Sequence, residues 1–400
     1  MNIAVAQSGG PTCAINASLL GVFRQALKTP EIDAVFGSIN GIEGIINDNL
    51  IDLKLVIKSY EDMKLLKQTP STVLGSCRYK LPDAEEDSEI YETIAKCFDK
   101  HRIKAFFYIG GNDSMDTVAK LAAYFKSIKS DIKIIGIPKT IDNDLPETDH
   151  TPGFGSAAKY VAATVQEIIR DSSVYSADSV TIIEIMGRHA GWLTASTCVL
   201  RANGEIAPHL IYLPEGHFSA DKFIENVKTA QAKFKAVVVA VSEGVEAEDL
   251  DKFQSGAVDV FGHKYLSGIG KRLENLVREK IGCKVRSIEL NVMQRCSAHI
   301  SSQTDIDEAE QIGAAGVIAA LRGESGVTMV FKRISDSPYV VDVETADATL
   351  IANHEKLFPT KWINEEENNI SDEAINYFLP LIQGEVQPAM KNGMPVHFKI

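Results

Sequence analysis

Seven short apolar runs, separated by longer helical patterns, constrain the fold more than any other feature of this 400-residue sequence. They occupy residues 3–6, 34–36, 105–109, 132–137, 180–185, 210–213 and 236–241. Their β-branched content and lack of polar alternation predict central parallel strands covered on both faces. Residues 16–26, 115–126 and 159–169 carry apolar positions at helical spacing, as in Met115, Val118, Ala119, Ala122 and Phe125. Strand and helix in alternation predict an α/β protein with right-handed crossovers. The length suits two to three domains. Pro146, Pro152 and two glycines make residues 142–155 irregular, which puts a boundary near 145. No tandem repeat is evident. In the last sixty residues Trp362, Tyr377 and Phe378 are expected to anchor a tail on the body, with no chemistry attached.

Charge and cysteine use exclude several classes of function. A net charge of -13 and a pI of about 5.3 repel nucleic acid, and no basic or aromatic stripe offsets this. Converging arginines can still make a local anion site. The start, Met1-Asn2-Ile3-Ala4-Val5-Ala6, lacks the basic flank and long apolar stretch of a signal peptide, and no apolar run approaches the roughly 20 residues that span a bilayer. Six cysteines, none in a Cys-x-x-Cys pair, read as reduced thiols rather than a disulfide framework or zinc site. The cytoplasm is the expected compartment, with no membrane partner.

Chemistry gathers where the runs end. Ser8-Gly9-Gly10, with Pro11 and Thr12, leads from the first run into a helix, so backbone amides there can cradle an anion. Equally, the segment can be a plain tight turn; it is neither a Walker loop nor a dinucleotide fingerprint. Gly110-Gly111-Asn112-Asp113-Ser114 repeats the design, and its polar residues can line a ligand or simply cap the next helix. Pro138-Lys139-Thr140-Ile141-Asp142-Asn143-Asp144 follows another run. It lies at the carboxyl edge of the predicted sheet, where open α/β sheets bind ligands. A cation, a hydroxyl and two carboxylates are costly to bury unpaired, and the alternative is a solvated turn. Used together, one carboxylate takes a proton from an alcohol, another holds magnesium, and Lys139 neutralises phosphate oxygens.

Arginines supply the complement. Arg78 ends Leu74-Gly75-Ser76-Cys77-Arg78, Arg188 follows Met186-Gly187 at a strand end, and Arg286 and Arg295 flank residues 288–293. Guanidinium forks grip phosphate oxygens bidentately. Glu243, before Gly244, can meet a sugar hydroxyl or act as a capping carboxylate. His189 has no histidine or cysteine at ligand spacing, so packing or a local hydrogen bond is its expected role.

Taken in order, these motifs resemble the phosphofructokinase family, and specifically its pyrophosphate-dependent branch. The match runs from Ser8-Gly9-Gly10 through Gly75-Ser76-Cys77-Arg78, the loops at 110–114 and 138–144, Met186-Gly187-Arg188, Ser242-Glu243-Gly244 and Gln294-Arg295. The resemblance implies two Rossmann-like α/β/α domains with a C-terminal extension. Residues 1–143 would bind pyrophosphate, with 255–305 returning to that unit. Residues 144–254 would bind the sugar phosphate, with 306–400 as a tail on the body. It implies Asp142 as the general base toward the 1-hydroxyl of fructose 6-phosphate. Thr140 and Asp144 would orient the reacting groups and magnesium, and Gly10 and Arg78 would lie around the donor. Met186, Arg188, Glu243 and Arg295 would contact the sugar phosphate, with Arg188 also facing the transferring group. Arg286 would reach the 6-phosphate across a subunit interface, in a homodimer or a homotetramer.

Two positions select the donor within that resemblance. ATP-using members carry glycine where this chain has Asp113 and Lys139. A carboxylate at 113 adds bulk and like charge beside a nucleotide's α-phosphate, whereas Lys139 faces the leaving phosphate of pyrophosphate. Other positions depart from the family. Asn112 replaces a magnesium-linked aspartate, leaving an amide oxygen for the cation. Ser179 stands where bacterial ATP-dependent members have an arginine, and Val292 replaces a histidine that touches the sugar. Sedoheptulose 7-phosphate therefore stays open as an acceptor. An ATP-dependent kinase and a catalytically silent phosphometabolite sensor are the rival readings.

Overall fold

The computed structural model describes residues 1–247, 250 and 268–400, and within them the chain builds two sheets. The larger contains β1 (Asn2–Gln7), β2 (Val35–Ser38), β3 (Leu50–Asp52), β4 (Ile103–Gly110) and β5 (Lys133–Pro138). The smaller contains β6 (Ser179–Ile185), β7 (Leu210–Tyr212), β8 (Ala236–Ser242) and β9 (Lys284–Glu289). Finally β10 (Val327–Asp336) and β11 (Tyr339–Asp347) return to the larger sheet, whose order is β11-β10-β5-β4-β1-β2-β3. The smaller runs β7-β8-β6-β9, all parallel. Each of the seven apolar runs coincides with a strand to within two residues at either end, and the three helical patterns fall inside Ile15–Leu27, Asn112–Ser127 and Phe154–Ser172.

Alternation along the strands explains the layering. In the larger sheet Ile3, Val5, Ala105, Phe107 and Ile109 face the helices Ile15–Leu27 and Gln303–Leu321. Ala4, Ala6, Phe106 and Tyr108 face the opposite way, toward Phe98 and Phe125 of Ser88–Lys100 and Asn112–Ser127. Each large apolar side chain enclosed this way contributes about 1.5–3 kcal/mol. The smaller sheet repeats the plan. Ile183, Ile185, Val238 and Ala240 pack on Phe154–Ser172, while Val180, Ile182, Val237 and Val239 meet the helices Ala220–Gln231 and Ile269–Lys280.

The chain's return path differs from the expected one. Residues 255–305 are expected in the first unit, yet β9 pairs with β6, Ser179↔Lys284 through Glu184↔Glu289, in the second sheet. Residues 255–267 of that span lie outside the described residues. The return to the first unit is made by Gln303–Leu321, β10 and β11. Gly313 allows it: a Cβ there would stand 2.1 Å from the carbonyl of Ser18, so only a glycine lets the two helices meet so closely. In the tail, Trp192 sits among Phe358, Trp362, Tyr377 and Phe378 with ring centroids 5.1, 6.4, 5.2 and 6.4 Å away. The aromatic residues do anchor the extension, and they do so on the second sheet's helical layer. Among the described residues no helix is long and apolar enough to cross a membrane.

Candidate active site

Three loops leave adjacent strands of the larger sheet at their carboxyl ends. β1 and β4 stay in register to Gln7 and Ile109, and the Ser8 N–H donates to the Ile109 carbonyl at 2.9 Å. β4 and β5 run together to Gly110 and Pro138, and the Lys139 N–H donates to the Gly110 carbonyl at 2.9 Å. Strand order reverses at this point, since β1 leads to β2 on one side and has β4 on the other. Such a reversal splays the loops and opens a crevice. The crevice is a cleft of about 220 Å³ bordered by Gly10, Asn112, Asp113, Lys139, Thr140, Asp142 and Asp144. Met186, after β6, and Arg295, after β9, close it from the second sheet.

Lys139 is the enclosed cation of this cleft. It is 2% exposed, and its Nζ donates to the Gly10 carbonyl at 2.7 Å. Burial pushes its pKa down to about 8 against the pull of Asp142 and Asp144, and Arg295 pushes the same way. Gly9 adopts φ +73°, and a Cβ there would lie 3.3 Å from Lys139 Nζ. Glycine thus supplies both the left-handed turn and the room for the ammonium.

Asp142 is half-buried and borders the same cleft. Its N–H donates to Thr140 Oγ1 at 3.1 Å, and the Thr140 hydroxyl donates back to Asp142 Oδ2 at 3.4 Å. Burial pushes the Asp142 carboxyl up to about 6; Asp144 and Glu243 add to this, while Lys139 and Thr140 oppose it. Asp144 is also raised, chiefly by burial. Two carboxylates displaced upward beside a lysine displaced downward is the kind of arrangement that proton-transfer sites use.

Gly111, which bears no side chain, is the N-cap of the helix Asn112–Ser127, and no side chain bonds to that end. The simple capping reading of Asn112, Asp113 and Ser114 therefore does not hold. The Asn112 amide points elsewhere: Oδ1 accepts from the Asn353 N–H and Nδ2 donates to the His354 carbonyl. Its oxygen, expected to serve a cation, is engaged by the C-terminal extension. Asp113 is exposed and borders both the cleft and a second recess of about 480 Å³ that also holds Arg78.

Other candidates lie at the rim or beyond it. The Gly187 N–H donates to Glu243 Oε1 at 3.4 Å, and the Met186 N–H to Gln294 Oε1 at 3.2 Å. Arg188 and His189 are exposed on this loop, and among the described residues Arg188 has no ion-pair partner. Arg286 does not border the cleft. It projects from the edge strand β9 and pairs with Asp171 at 3.0 Å. Four residues that meet the site went unassigned in the sequence: Asn143, Asn353, Lys356 and Tyr377. Tyr377 was legible only as a packing aromatic, and nothing local marks Asn353 or Lys356, which arrive from some 200 residues away in the chain.

Comparison with known proteins agrees with this geometry. A family profile described as Phosphofructokinase matches residues 2–319. A protein of Halomonas elongata named pyrophosphate–fructose 6-phosphate 1-phosphotransferase is 38% identical over 398 residues, covering 98% of this chain and 94% of its own. One of the same name from Methylococcus capsulatus is 39% identical over 399 residues, covering 98% and 94%. The crystal structure of a pyrophosphate-dependent phosphofructokinase from Marinobacter aquaeolei superposes with a TM-score of 0.89 at 36% identity, covering 100% of this chain and 95% of that one. Sheet order, the loops at its switch point and near-full-length similarity lead to one conclusion: the chain belongs to the phosphofructokinase family.

Proposed function

We propose that the protein reversibly transfers a phosphoryl group from pyrophosphate to the 1-hydroxyl of fructose 6-phosphate, giving fructose 1,6-bisphosphate and phosphate. The observation that carries this reading is the pairing, in one cleft, of an enclosed ammonium at Lys139 with a half-buried carboxylate at Asp142. The near-full-length relatives named for this reaction support it.

In this reading Asp142 accepts the hydroxyl proton as the sugar oxygen attacks phosphorus in line. A pKa near 6 leaves the carboxylate ionised at neutral pH and more basic than an exposed aspartate. Thr140 holds its orientation through the paired hydrogen bonds described above. Lys139 offsets charge on the donor, Arg295 contacts the sugar phosphate, and Arg188 at the rim serves the sugar phosphate and the transferring group. Met186 and Glu243 bound the acceptor side, Gly10 and Arg78 the donor side. Asp113 stands between the cleft and the larger recess, where its carboxylate repels a nucleotide's inner phosphate.

Magnesium is the cation we assign to the reaction. It takes one or two carboxylates and completes its shell with substrate oxygens and water, which the two neighbouring carboxylates of this cleft suit. Asp144 would hold it, with the second lone pair of Asn112 Oδ1 still available. When bound, the ion neutralises donor oxygens. We further assign the protein to the cytoplasm as a homodimer in which Arg286 serves the partner's sugar phosphate; its half-exposed position on an edge strand supports this.

Parallel assays with magnesium pyrophosphate and magnesium ATP test the reading. Fructose 1,6-bisphosphate should form with pyrophosphate and not with ATP. Turnover with ATP alone would overturn the donor assignment.

A further inference from the structure

Residues 353–358 of the C-terminal extension cross the site as a strap. Asn353 and His354 hold Asn112 at both ends of its amide, and Asn353 Nδ2 donates to Asp116 Oδ1 at 2.9 Å. The Lys356 N–H then donates to the Asp144 carbonyl at 2.7 Å. Lys356 Nζ donates to the carbonyls of Thr148 and Asp149 at 3.0 and 2.9 Å and to Asn143 Oδ1 at 3.3 Å. These bonds use all three ammonium protons on protein oxygens. On its far side the ammonium lies 4.9 Å from the centre of the Trp192 ring, whose Nε1–H donates to the Lys356 carbonyl at 3.0 Å.

The consequence falls on Asn143, which stands between the two carboxylates of the catalytic loop. Its φ is +54°, a conformation asparagine tolerates better than most side-chain-bearing residues. The extension grips its amide from both ends, Lys356 at Oδ1 and the Tyr377 hydroxyl at Nδ2, 2.8 Å away. The left-handed turn at 143 sets the divergence of the neighbouring residues, so whatever fixes Asn143 fixes the aim of Asp142 and Asp144.

We infer that Lys356 is a positioning residue for phosphoryl transfer, acting through Asn143 on the aim of Asp142. This rests on the role proposed above for Asp142. The strap also gives Asn112 a purpose: an amide both donates and accepts, as the strap requires, whereas an ionised aspartate only accepts.

Lys356→Met keeps the side chain's length against Trp192 and removes the three bonds. Its kcat should fall about 10-fold to 100-fold, the cost of a misplaced reacting group, while KM for both substrates changes little. A double-mutant cycle separates positioning from general loss of structure. With Asp142 already replaced by asparagine, adding Lys356→Met should cost less than about 3-fold. An equal loss in both backgrounds would overturn the inference, as would unchanged kcat in the single variant. Tyr377→Phe, which keeps the ring and removes one hydroxyl, makes the same test should Lys356→Met fail to fold. The parent enzyme distinguishes the two ideas. Turnover with ATP alone overturns the donor reading and leaves the cycle to judge Lys356 with ATP; turnover with neither donor overturns both.

Discussion

The ammonium of Lys139 reaches across the cleft floor to the carbonyl of Gly10, 2.7 Å away, so a cation carried by the loop after β5 is locked onto the loop after β1. The bond joins the loops that follow the two strands flanking β4. It also leaves the charge short of counter-ions: burial, rather than a paired carboxylate, dominates its shifted pKa. A group in that condition gains most from an arriving anion.

Binding of pyrophosphate should therefore take up a proton at alkaline pH. With a pKa near 8 before the donor binds, Lys139 is partly neutral at pH 8.5 and becomes charged when the donor's oxygens surround it. Calorimetry in two buffers of different ionisation enthalpy measures the uptake. We expect up to one proton at pH 8.5, after correction for the donor's own ionisation, and close to none at pH 6.5. Lys139→Met should abolish the difference.

Replacing Asp142 by asparagine preserves shape and removes the base. We expect kcat to fall by about 10²–10⁴, the usual contribution of a general base, with KM for both substrates nearly unchanged. Equal kcat in variant and parent would take Asp142 out of the mechanism.

How much of this was legible beforehand follows from where the information lies in the chain. Buried parallel strands declare themselves by uninterrupted apolar runs, and the cleft's floor hangs directly from their ends, so Gly10, Asp113, Lys139 and Asp142 could be found from the sequence. β9 could not be placed in the same way. It reads Lys284-Val285-Arg286-Ser287-Ile288-Glu289, half-exposed at a sheet edge, and its polar alternation hides it among loops. β10 and β11 likewise alternate once they leave the core. The hold of Asn353 and His354 on the Asn112 amide could not be foreseen, because these partners lie more than 200 residues away. Long-range backbone partners leave no local periodicity to read.

Donor choice should respond to the wall between the two recesses. Asp113→Gly removes a carboxylate that borders both, and Lys139→Gly removes the cation that favours a compact donor. We expect the double variant to gain measurable ATP-supported turnover while its kcat/KM for pyrophosphate drops by at least about 10-fold, the loss of one charge-assisted contact. Assay of both donors on parent, single and double variants checks this. A double variant inert with ATP would show that two residues are insufficient to set the donor.

Beneath the catalytic loop, His150 provides a test of stability against pH. The residue is buried, with Nδ1 2.8 Å from Asp149 Oδ2 and Nε2 2.8 Å from Glu308 Oε2. Ionised carboxylates only accept hydrogen bonds, so both ring nitrogens must carry protons and the imidazole is a cation. Arg333 and Tyr339 brace the two carboxylates from outside at 2.9 and 2.7 Å, and Phe331 stacks on the ring 4.6 Å away. Burial alone would lower the pKa, but Glu308 and Asp149 outweigh it and hold the group above its ordinary 6.5. A folded-state pKa above the unfolded one stabilises fully below the unfolded value, and the benefit fades as pH rises through the folded value. The melting temperature of the parent should thus exceed that of His150→Gln most at pH 6, where removing one partner of a buried charged cluster costs about 3–5 kcal/mol. The gap should narrow steadily toward pH 9. A gap that stayed constant from pH 6 to pH 9 would mean that the cluster takes up no proton on folding, and that the imidazole is not held as a cation in the folded protein.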